Sequence, residues 1–151
     1  MSETVILPPE SRRSARGPFI PPLLIIPFLI YNAFGFTAYL GKPASEAWAT
    51  NLFTIRMVSG ADWSLTSGDL LLVVGLVCLF FEVLKSTNTG RTSVIEHMLS
   101  TALFVVFLVE FLLFGVAASS VFFLLMIMSV VDVVAGFTIS ITGAGRDVTM
   151  A

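Results

Sequence analysis

A chain of 151 residues in which 56% are hydrophobic and 12% charged, with a mean hydropathy of +0.97, lies outside the composition of soluble globular domains. A net charge of −2 with eight basic residues offers no patch able to neutralise several phosphates, so nucleic acid is not an expected partner. Its one cysteine, Cys78, permits no internal disulfide.

Four stretches approach the roughly 20 apolar residues that cross a hydrocarbon core about 30 Å thick: Pro18–Leu40, Ser67–Leu84, Val94–Ala117 and Val121–Ile141. Each is apolar on all sides instead of alternating with period two, and hydrocarbon requires backbone groups to be satisfied within the segment. The predicted fold is an all-α membrane protein of four transmembrane helices. It divides into a flexible tail over 1–17, one transmembrane domain over 18–142 with an external loop at 41–66, and a second tail over 143–151. Arg12, Arg13, Arg16, Lys85, Arg91 and Arg146 flank one side of these spans, whereas Lys42 and Arg56 occupy the first loop, so the positive-inside rule predicts both termini in the cytoplasm.

The first tail, with Pro8-Pro9 and three arginines, has no apolar period and reads as a topology determinant held near the headgroups by charge. A secretory signal is disfavoured, because the first apolar run exceeds the roughly 7–15 residues of a signal core and Lys42-Pro43 does not resemble a cleavage site. Within that run Pro18, Pro21 and Pro22 suit a helix start, while Pro27 is expected to remove an internal hydrogen bond and kink the helix. Tyr31, Gly35 and Ala38 then form a packing stripe. In the loop, Leu52–Met57 alternates apolar and polar residues, and Val58–Asp62 supplies turn chemistry before Trp63, predicting a short β-hairpin at the outer membrane surface. Trp48 and Trp63 are read as interfacial anchors.

Thr66-Ser67-Gly68-Asp69 reads as the N-cap and acidic first turn of the second span. Gly75, Cys78, Glu82 and Lys85 share one face of it, with Glu82 and Lys85 predicted to form a snorkelling ion pair at the cytoplasmic end. After a polar turn over 86–92, Ser93-Val94-Ile95-Glu96 matches a capping box that starts the third span. His97, beside it, is expected to be exposed or hydrogen-bonded, since no metal-ligand spacing surrounds it. Glu96, Leu103, Glu110 and Ala117 recur every seven residues on that helix; Ser129, Asp132, Gly136 and Ser140 form a small, polar face on the fourth. A tight turn over Gly115–Ser120 makes these helices antiparallel neighbours, with Glu110 about eight and Asp132 about fourteen residues from the turn, an offset of about 9 Å.

Glu110 and Asp132 carry the functional question, because a carboxylate at the bilayer centre costs roughly 2.5–3.5 kcal/mol and neither has a basic neighbour in its span. The two acids do not face each other at one level but are expected to share one polar seam, and three roles are open: hydrogen-bonded glue between helices, pairing with a basic group on a partner, or a proton or cation path. No G-x-x-x-x-G-K-[ST], H-E-x-x-H or C-x-x-C occurs, and Gly143-Ala144-Gly145 lacks the context of a nucleotide fingerprint, so neither catalysis nor a cofactor is expected. The stretches Val58–Leu72, Phe81–Thr87, Val109–Leu113 and Val131–Thr138 resemble small, functionally uncharacterised four-span membrane proteins of proteobacteria, over most of the chain after residue 50. That resemblance implies a bacterial inner-membrane location. The expected function is an accessory or structural subunit that binds another integral membrane protein or further copies of itself, through a set that includes Glu110, Asp132, Ser129, Gly136, Glu82 and Lys85. The alternative is a proton- or cation-conducting component using Glu110 and Asp132.

Overall fold

The computed structural model describes residues 21–38, 43–87 and 91–149. The tail over 1–17, Pro18 and Lys42 lie outside them. Its elements are α1 (Ile25–Ala38), a single turn α2 (Ala44–Ala47), β1 (Asn51–Arg56), β2 (Asp62–Thr66), α3 (Ser67–Ser86), α4 (Arg91–Leu113), a 3-10 turn (Gly115–Ala117) and α5 (Ser120–Thr149). Among the described residues, three helical segments are long and apolar enough to cross a membrane: Ser67–Ser86, Ile95–Leu113 and Ser120–Thr142. α1 is apolar but shorter, and α5 continues as helix through Thr149, where a tail is predicted.

Pro27 does not kink α1. The helix starts at Ile25, so Pro27 sits in the first turn, where a missing N–H leaves no intrahelical bond unmade. The second span begins as predicted: Thr66 Oγ1 accepts the Asp69 amide at 3.1 Å and Asp69 Oδ2 accepts the Thr66 amide at 2.9 Å, a reciprocal cap. The box predicted at Ser93 is not the start of α4, since the helix already begins at Arg91 and Ser93 lies inside it. α4 closes with the Phe114 amide on the Glu110 carbonyl at 2.9 Å. After the 3-10 turn, Ser119 Oγ caps α5 by accepting the Phe122 amide at 3.1 Å.

α5 is the central helix, packed along both α3 and α4, with α1 laid mainly against α3. Glycines set the α3 contacts: a Cβ on Gly75 would come within 2.7 Å of Leu125 Cδ2, and one on Gly68 within 3.0 Å of the Trp48 carbonyl oxygen. The centre is aromatic. Phe107 meets Phe28 edge-on at 4.7 Å and Phe122 at 5.3 Å, while Tyr31 lies 4.8 Å from Phe122 and stacks on Trp48 at 4.9 Å. Trp48 is therefore not turned outward as an interfacial anchor; its buried ring pins the first loop to the bundle. Tyr31 fastens the same end: its hydroxyl donates to the Val116 carbonyl at 2.8 Å and lies 2.7 Å from Ser119 Oγ.

The predicted hairpin is present. β1 and β2 pair antiparallel, the Gly60 amide bonds the Met57 carbonyl at 2.9 Å, and Gly60 adopts φ 86°, a left-handed conformation that glycine takes without strain.

Candidate functional site

The polar residues singled out from the sequence fall into two separate places. The first is a cluster where α3, α4 and α5 meet the start of α1. Glu82, on the buried face of α3 with Gly68, Leu71, Gly75 and Cys78, is 2% exposed. It accepts the backbone amide of Leu23 on one carboxylate oxygen and Lys85 Nζ at 2.8 Å on the other. The Glu82–Lys85 pair is thus formed as predicted, but the acid does not snorkel to the surface. It points into the bundle and takes up an orphan donor just ahead of α1. Glu96, predicted as a cap residue, instead lies 4.0 Å from Lys85.

Asp132 belongs to this cluster. It is 6% exposed, has Ser100 as its side-chain hydrogen-bonding neighbour, and lies near Glu82, Lys85 and His97. The polar face of α5 does turn inward: Ser129 and Gly136 are buried, Ser129 Oγ returns a bond to the Met126 carbonyl, and Gly136 is covered by the His97 ring. His97 Nε2 lies 2.8 Å from Ser140 Oγ, so the histidine is hydrogen-bonded and half-buried. Sequence spacing showed the α3 and α5 faces separately; the part of Leu23 was invisible, because a backbone amide carries no residue-type signal.

The second place is a groove of about 340 Å³ lined by Asn32, Val105, Val106, Val109, Glu110 and Phe114. Glu110 sits in the last turn of α4, closer to the helix end than the sequence count of about eight residues implied, because α4 stops at Leu113. Asn32 Nδ2 donates to Glu110 Oε2 at 3.1 Å and to the Phe28 carbonyl at 3.2 Å, using both amide protons. Glu110 Oε1 is buried and, among the described residues, has no hydrogen-bond partner. A carboxylate in the last turn of a helix also faces the negative end of the helix dipole, so the fold offers it little besides Asn32. Asn32 was missed by sequence reasoning; its signal is a lone amide in an otherwise apolar helix.

The single polar seam does not form. Between Glu110 and Asp132 the interior is filled by Phe107, Phe122 and Leu125, each 0% exposed. Among the described residues, no group of three or more His, Cys, Asp or Glu is placed to hold a metal ion. The chain matches no family model, no curated protein and no solved structure.

Proposed function

We propose that this chain is a small accessory or structural subunit of a bacterial inner-membrane assembly, docked on another membrane protein through the groove between α1 and α4. The observation that carries the reading is Glu110 Oε1, buried without a partner among the described residues in a wall that is apolar apart from Asn32. An unsatisfied buried polar group costs about 1–3 kcal/mol, and more when charged, so the groove is complementary to a helix bringing a basic or hydrogen-bond-donating side chain. Neither α1 nor α4 between Ile95 and Leu113 contains Lys or Arg, so a different membrane protein is the better source of a basic side chain than these two helices of a second copy.

In this reading the first apolar stretch is a fourth span. α1 runs against α3, with Leu23 at the level of Glu82 and Tyr31 beside Trp48, whose carbonyl accepts the Gly68 amide at 3.0 Å. That the chain from Leu23 through α1 runs alongside α3 from the level of Glu82 towards that of Gly68 supports a fourth span. Both termini face the cytoplasm, on the side of the six clustered basic residues. Conduction by one copy is disfavoured by the aromatic packing between the two acids.

The test is the mass and composition of the particle purified by a C-terminal tag at native expression in a polymer nanodisc. A second membrane protein at fixed stoichiometry, lost in Glu110→Leu but kept in Asp132→Asn, is expected. A particle made only of this chain, or one unchanged by Glu110→Leu, contradicts the proposal.

A further inference from the structure

The β-hairpin is two-faced. Cross-strand partners share a face of an antiparallel pair, so Phe53 opposite Leu65 and Ile55 opposite Trp63 make one side of the ribbon apolar. Thr54 opposite Ser64 and Arg56 opposite Asp62 make the other side polar, with the Thr54 and Ser64 hydroxyls 2.8 Å apart. Phe53 and Trp63 touch edge-on at 6.1 Å, yet they stay 47% exposed and Ile55 52%. A two-stranded ribbon is marginal in water by itself, and this one leaves its apolar side uncovered by the bundle.

We infer that the apolar side of the hairpin lies on the bilayer, at the boundary between headgroups and acyl chains, with Thr54, Arg56, Asp62 and Ser64 turned to water. Three observations choose lipid as the occupant. β2 runs directly into α3, so the base of the ribbon stands where a membrane-crossing helix begins. That base is tied down, with the Ser67 amide on the Thr50 carbonyl at 2.9 Å and the Gly68 amide on the Trp48 carbonyl at 3.0 Å. Leu52, at the ladder irregularity between Asn51 and Phe53, shares an apolar groove with Ile30, Phe34 and Leu70, which joins the ribbon to the outward apolar surface of α1 and α3. An aromatic and aliphatic face backed by hydroxyl and charged groups matches the chemistry of the interfacial layer. The hairpin is then a lateral foot that fixes the depth and tilt of the bundle, independent of the α1/α4 groove.

The test uses the purified full chain, alone, in phosphatidylethanolamine and phosphatidylglycerol liposomes. On a Cys78→Ala background, nitroxide labels are placed through Ile55→Cys and, on the opposite face, Thr54→Cys. Oxygen is expected to reach the label at position 55 better than a water-soluble nickel chelate does, with the preference reversed at position 54. Equal chelate access at both positions puts the hairpin in water and overturns the inference; shielding of position 55 from both reagents means that protein covers it, with the same consequence. Native fluorescence supplies a check without cysteine variants: brominated lipid should quench the emission lost in Trp63→Phe, and quenching of that component by aqueous iodide alone contradicts lipid contact.

Discussion

Two carboxylates with the same sequence signature have opposite surroundings. Asp132 is enclosed among Ser100, Lys85 and His97, whereas Glu110 has one oxygen on Asn32 and the other, among the described residues, without a hydrogen-bond partner. Their substitutions should therefore differ in kind. Glu110→Leu removes the unsatisfied oxygen together with the acceptor of Asn32 Nδ2, two opposed effects, and is expected to leave the purified bundle about as stable as the parent, read as the detergent-unfolding midpoint; a marked loss would assign Glu110 to the internal fold. Glu82→Ala should act the other way. It strips the Leu23 amide of its acceptor and removes the acid that Lys85 Nζ meets at 2.8 Å, and losing one partner of a buried pair costs about 3–5 kcal/mol. Glu82→Gln keeps an acceptor for Leu23 and should cost less. A loss below about 1 kcal/mol for the alanine variant, the range of an exposed pair, contradicts a structural role for this cluster.

At the scale of elements, local signals were legible where a side chain answers its own backbone. Thr66 and Asp69 cap α3 as their spacing implies, and the turn over Val58–Asp62 yields a hairpin with Gly60 where φ is positive. They misled where a boundary lay a few residues from where composition put it. Pro27 is harmless because α1 begins late, and Ser93 is no cap because α4 begins early. Glycine packing was readable as smallness but not as contact. Gly75 faces the flexible ends of Leu125 and Met128, whereas Gly68 faces the Trp48 backbone, which cannot turn aside. Gly68→Ala is expected to cost about 1–3 kcal/mol by overpacking and to free the hairpin base, whereas Gly75→Ala should cost less. Unfolding midpoints of the two variants check the order, and equal losses would show that the loop is not seated on α3 as described.

For the whole molecule, membrane-crossing helices follow from hydropathy alone, because hydrocarbon leaves the backbone few choices. The inward faces of α3 and α5 follow from small and polar residues at helical spacing. The assignment of those residues to one closed cluster and one open groove did not follow, since it depends on which helix lies beside which. That α1 places Asn32 against Glu110 and Leu23 against Glu82 is a fact of tertiary packing. The proposed topology predicts that tags at both ends are protected in intact cells, and access from outside to either one contradicts it.

Whether the α1/α4 groove is a docking face is decided by site-specific photo-crosslinking in native membranes. A photoreactive residue at Val109, on the groove wall and 45% exposed, is compared with one at Val77 on the outward side of α3, 50% exposed. One discrete adduct to a different membrane protein is expected from position 109, absent from position 77 and lost when Glu110→Leu is added. Lipid adducts alone from both positions, or an adduct to a second copy of this chain, would contradict it.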